Sequence, residues 1–142
     1  MNASLDQDIY NKVDKWRMVD IEVLIRSDNY SIREKTLKHL RENIEEYKDY
    51  ICIDLYHLMT NSFVDRVYEV KKESILLFKK CMEYKEFTIL LNDNTRNLFI
   101  MMLQNENSEI RNEIYNIELL DSINSDIEYY IQVCIIQMHK LI

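Results

Sequence analysis

Arg33 and Arg111 each follow the first apolar residue of a phrase that starts a helix. A polar turn, Ser27-Asp28-Asn29-Tyr30-Ser31, runs into Ile32-Arg33, and Asn105-Glu106-Asn107-Ser108-Glu109 runs into Ile110-Arg111. A looser copy lies between them, Asn61-Ser62-Phe63 leading to Val70-Lys71. A guanidinium at such a position presents a planar fork of donors, so its natural chemistry is bridging. Arg33 and Arg111 are therefore read as structural staples, each reaching an acid or carbonyl of the neighbouring segment. A row of phosphate sites is the lesser alternative.

Other candidate chemistry is thinner. The pairs Lys71-Lys72 and Lys79-Lys80, with Arg66 and Lys85, form a basic stretch, but Asp65, Glu69, Glu73, Glu83 and Glu86 lie among them. Alternating signs on a helix describe a solvated face laced by i,i+4 pairs, which gives DNA contact only slight support. Cys52 and His57 are five residues apart, off a common helical face, and no second Cys/His pair follows at finger spacing. His39 and His139 stand alone, and no Ser-His-Asp or Cys-His set has local support. No metal, no cofactor and no catalytic residue is expected, and the chain is read as a non-enzyme.

Composition agrees with that emphasis on architecture. There is neither glycine nor proline in 142 residues. Hairpin turns, phosphate loops and nucleophile elbows rely on glycine, whereas a helix interior needs neither residue, so the fold is all-α. Hydrophobic residues make up 47% and charged ones 30%, the balance of a soluble globular chain. No apolar run approaches membrane-span length, and Met1 to Tyr10 lacks the apolar core of a secretory signal. Cys52, Cys81 and Cys134 form an odd, scattered set, as expected of reduced thiols in an intracellular, nuclear or cytoplasmic, protein. The net charge of −7 is uneven, with residues 106–142 at about −5, which argues against that part lying on nucleic acid. Ten tyrosines exceed what a small helical core needs. They are either interface residues or a codon bias that also enriches Ile, Asn and Lys.

The elements that must position these residues follow from the apolar stripes and caps. A first helix runs from Ser4 or Asp6 to about Ile25, and a second from Ser31, with Glu34 at capping-box spacing, to Tyr47. A third spans Asp49 to Met59. The next runs from Phe63 or Val64 to Tyr84, in two pieces if the slip at Glu73-Ser74 breaks it. Asn92-Asp93-Asn94 caps a helix through Leu103, Ser108 caps another, and Ser125 caps the last, which carries Cys134 and His139. About seven helices in one domain pair into hairpins over 5–47, 49–84 and 92–123, followed by a terminal helix at 125–142.

The phrases recur after 38 and then 40 residues, the period of HEAT and armadillo hairpins, so the expected architecture is an α-solenoid of stacked hairpins. An irregular compact bundle is the competing arrangement. Residues 62–111 also carry a more specific resemblance. Phe63-Val64-Asp65-Arg66 with Glu69-Val70, then Leu91-Asn92-Asp93, then Glu109-Ile110-Arg111, resembles the stromalin conservative domain of the cohesin stromal-antigen subunit. The chain departs from that pattern at Asp65, where the family has histidine, at Ser74-Ile75, and in length. The resemblance implies a cohesin-type chromosome-associated subunit that binds a kleisin, with the partner surface at Phe63, Arg66, Glu69 and Val70, and Lys71 adjoining.

The functional expectation is thus a protein-protein interaction scaffold or adaptor that captures a peptide or helix of a larger complex, with no membrane contact. The alternative is a compact bundle gripping an amphipathic partner helix, as viral apoptosis regulators do.

Overall fold

The structure, a computed structural model, describes residues 3–12 and 14–115 together with the single positions 135 and 138. The chain is helical, and no strand occurs among the described residues. Nine α-helices are described, where about seven were expected: α1 Ala3–Tyr10, α2 Met18–Ile25, α3 Tyr30–Glu42, α4 Ile44–Tyr47, α5 Ile53–Ser62, α6 Tyr68–Cys81, α7 Lys85–Thr88, α8 Asp93–Asn105 and α9 Ser108–Tyr115. The expected terminal helix at 125–142, with Cys134 and His139, lies outside the described residues apart from Ile135 and Met138. The chain divides into two compact units, Met1–Leu90 and Leu91–Ile142.

In the first unit, the extra helices arise from local side-chain competition. The expected first helix is two, because Asp20 caps α2: its carboxylate accepts the Arg17 N–H at 2.8 Å and pairs with Lys12 Nζ at 2.9 Å. That arrangement turns Trp16 inward to 3% exposure, where it packs on His39 with ring centroids 4.5 Å apart. The Trp16 N–H donates to the Tyr47 hydroxyl at 3.3 Å, and Lys15 Nζ sits 4.7 Å from the Tyr50 ring centre. The second helix breaks at Asn43, whose backbone N–H and side-chain amide both donate to the His39 carbonyl at 3.0 Å. Ser31 is not the cap of α3. Asn29 holds that place, its side chain accepting the Ser31 N–H at 3.0 Å.

Two hairpins, α2/α3 and α5/α6, form the body of this unit, and the most extensive packing is α3 on α6. Those two helices run parallel. Arg33 near the start of α3 bonds Asp65 just before α6, and Arg41 near its end bonds Glu73 within α6, the same offset of 32 residues both times. The hairpins also repeat in detail at a spacing of 38 residues. Ile32, Thr36, Leu37 and Leu40 on α3 correspond to Val70, Ser74, Ile75 and Phe78 on α6, and all eight are buried. The entry turns correspond too: the Ser27 hydroxyl accepts the Asn29 N–H at 3.1 Å, and the Asp65 carboxylate accepts the Val67 N–H at 2.9 Å.

Ser74 does not divide α6. Its hydroxyl donates to the Lys71 carbonyl at 2.6 Å, as Thr36 donates to the Ile32 carbonyl at 2.6 Å, so a small polar residue is tolerated on a buried face. The centre of the unit is aromatic. Phe78 lies 5.0 Å from Phe87, 5.5 Å from Phe63 and 6.4 Å from Tyr56, centre to centre, in tilted or edge-on pairs.

In the second unit, α8 and α9 form a further hairpin, with Phe99, Met102, Ile110 and Ile114 buried. Asn92 caps α8 by accepting the Thr95 N–H at 3.1 Å. Asn107, rather than Ser108, caps α9, accepting the Ile110 N–H at 3.0 Å.

A candidate interaction cleft at the paired helix starts

Parallel packing of α3 and α6 brings their entry turns side by side at one end of the first unit. Between them opens a cleft of about 560 Å³, a size suited to a side chain or a short peptide segment. Arg26, Ser27, Asp28 and Tyr30 line it from the α2–α3 turn, Arg33 from α3, and Val64 to Val67 from the α5–α6 turn.

The floor is closed on itself. Arg33 Nε donates to Asp65 Oδ2 at 2.8 Å and Nη2 to Oδ1 at 3.1 Å, while Nη1 donates to the Ser27 carbonyl at 2.7 Å. Both charged side chains are largely buried, with 17% and 13% of their surface exposed. Forked, charge-assisted pairing at that depth holds the geometry firmly. The Ser27 hydroxyl is also committed, donating to Asp6 Oδ2 and accepting from the Asn29 N–H. These groups fasten one hairpin to the next and leave little donor or acceptor capacity for a ligand.

The rim is open. Arg26, Asp28, Tyr30, Val64 and Arg66 are all exposed, Tyr30 at 54% and Val64 at 57%. Arg26 pairs with Glu22 at 2.9 Å one turn back, but that pair is solvated on both sides and worth only a few tenths of a kcal/mol. The rim therefore combines two apolar surfaces with exposed Arg66 and with Arg26, which is paired to Glu22.

The residues singled out by sequence fall into three places. Arg66 stands on the rim, and Glu69 is exposed in the first turn of α6. Lys71 is half-buried on α6. Phe63 and Val70 are fully buried, and their side chains pack in the core of the first unit. Arg33 forms the floor, whereas Arg111 is half-buried on α9 in the second unit, its N–H bonded to the Asn107 carbonyl at 3.0 Å. Sequence reasoning passed over Arg26, Tyr30 and Val64. The turn Ser27 to Ser31 read as a helix break, and nothing in it signalled that a second such turn would lie alongside.

Elsewhere among the described residues, no group of three or more His, Cys, Asp or Glu side chains could hold a metal ion, and no helix is long and apolar enough to cross a membrane. Cys81 is buried on α6, and burial pushes its thiol up to about 12. Tyr84 donates a hydrogen bond to the Glu45 carboxylate, which raises its phenol to about 12. No protein-family model, curated protein or solved structure matches the chain.

Proposed function

We propose that the chain is a non-enzymatic interaction module built from HEAT-like helical hairpins, which captures a segment of a partner protein at the row of helix starts. The observation that carries this reading is the contrast within the cleft. Its floor, Arg33 with Asp65 and Ser27, is fully paired, while its rim offers exposed Tyr30, Val64, Arg26 and Arg66. A closed floor supplies rigidity, and an open rim of aromatic and arginine side chains is the chemistry of interface anchors. The 38-residue correspondence of turns and core positions supports stacking of like units, in which corresponding turns line one edge.

The resemblance of residues 62–111 to the stromalin conservative domain gives this module a specific form, a chromosome-associated adaptor whose partner is a kleisin-type chain. Of the residues that the resemblance assigns to partner contact, Arg66 and Glu69 are exposed and able to serve.

Affinity purification from the native cell, comparing the wild-type chain with Arg26→Glu/Arg66→Glu, tests the reading. The expected result is a discrete protein recovered by the wild type and depleted in the double variant, with helical content unchanged. Identical recovery by both would overturn the cleft as the contact surface.

A further inference from the structure

The first helix is fastened at the same kind of place as the inner helices, but far more weakly. Ser27 and Asp65 are corresponding positions, 38 residues apart, in the α2–α3 and α5–α6 turns. Arg33 of α3 holds Asp65 with a two-bond fork, whereas Asp6 of α1 meets Ser27 through a single bond, its Oδ2 accepting from the hydroxyl. Because α1 packs on α2 and α3, it stands toward α3 much as α3 stands toward α6. The buried surfaces differ in kind. Helix α3 buries Ile32, Thr36, Leu37 and Leu40, while of residues 5–10 only Asp6 is buried.

Asp6 has no exposed surface, and its Oδ1 has no hydrogen-bond partner among the described residues. A buried acid is ordinarily held by a cation or by several hydrogen bonds, so an acid with one oxygen unserved opposes the docking that its other oxygen secures. Leu5 beside it is 50% exposed and adds little apolar burial. The ring of Tyr10 packs on Trp16, centres 5.4 Å apart. Two residues past the end of α1, Lys12 is tied to α2 through Asp20 at 2.9 Å, which gives the helix a fixed point to turn about.

We propose that α1 is a releasable strap. It lifts off α2 and α3 as one piece while the rest of the first unit stays folded, uncovering the Ser27 hydroxyl and the side of Trp16 that Tyr10 covers. Segments with few buried apolar contacts open at lower free energy than the core around them. The strap rests on contacts within the first unit alone and is independent of what the cleft captures.

Hydrogen exchange of the full-length chain, resolved by residue, tests the proposal. Amides of residues 7–12 are expected to exchange about a hundredfold faster than those in the middle of α3 and α6, at rates unchanged by low urea, because local opening exposes little surface. Asp6→Asn keeps an acceptor for Ser27 and removes the buried acid, so it should slow α1 exchange severalfold. Tyr10→Ala removes the ring contact and should speed it about tenfold. Neither variant should change α6. Exchange of α1 as slow as that of α3 and α6, no slowing in Asp6→Asn, or equal acceleration of α1 and α6 by Tyr10→Ala would each overturn the strap.

Discussion

Arg33 reaches across from α3 and grips Asp65 at the entrance of α6 with two near-parallel hydrogen bonds, 2.8 and 3.1 Å long. Asp65 at the same time accepts the Val67 N–H in the turn that leads into α6. One carboxylate thus ties the turn before α6 both to itself and to the neighbouring helix α3. Removing Arg33 leaves that carboxylate largely buried and half-paired, so Arg33→Ala should cost about 2 kcal/mol. Asp65→Ala should cost a similar amount, and the double variant clearly less than the sum. Urea unfolding of the three variants measures the coupling. Arg33→Lys should restore only part of it, because an ammonium cannot bond both oxygens in the same fork.

Thr36 and Ser74 occupy corresponding buried positions on the two parallel helices, and each spends its hydroxyl on a carbonyl in its own helix. Their size, more than their polarity, is what the packing requires. Ser74→Ala should leave stability within about 0.5 kcal/mol of wild type, whereas Ser74→Leu should destabilise by about 1–3 kcal/mol through overpacking. Thermal unfolding distinguishes the two outcomes.

Burial opposes ionisation of Asp20, yet hydrogen bonds from the Arg17 backbone and side chain and from Lys12 outweigh it and hold its carboxyl at about 2, below the ordinary 3.8. A carboxyl lowered on folding binds fewer protons in the folded state, so its stabilisation is present above the unfolded value and lost as pH falls. The window runs from roughly pH 4 down to pH 2 and is worth about 2 kcal/mol. Acid titration of stability should show that loss in the wild type and a shallower slope in Asp20→Asn. Trp16, the sole tryptophan, lies two residues before the α2 start that Asp20 caps, so its fluorescence reports this step.

Much of the staple was legible in the sequence, and most of the cleft was not. Arg33 was found because an arginine after the first apolar residue of a helix, recurring at repeat spacing, has few other uses. Its partner Asp65 was noted only as one acid of a mixed-charge stretch and as a departure from a family pattern, not as the acid that Arg33 would reach. The burial of Phe63 and Val70 was not legible, because a phrase of mixed apolar and charged residues does not say which members face inward; that depends on where α6 begins, and it begins at Tyr68. The break between α1 and α2 was hidden because Asp20 looks like a mid-helix residue until Lys12 and Arg17 converge on it. Rim residues such as Tyr30 and Val64 acquire meaning only when two distant turns come together, and no local spacing encodes that.

The two described cysteines should differ in reactivity. Cys81 is fully buried with its thiol pushed up to about 12, so it should resist alkylation in the folded chain. Cys52, half-exposed at the start of α5, should react first. Peptide mapping after brief treatment with iodoacetamide reads the order directly, and denaturant should abolish the difference.

The most direct test of the interaction reading places a photo-crosslinking amino acid at position 64, on the exposed rim, and separately at position 53, exposed at the far end of the α5/α6 hairpin. Irradiation in the native cell should give a discrete protein adduct from position 64 and none from position 53. Adducts of equal yield from both positions, or none from position 64, would contradict the cleft as the site of capture.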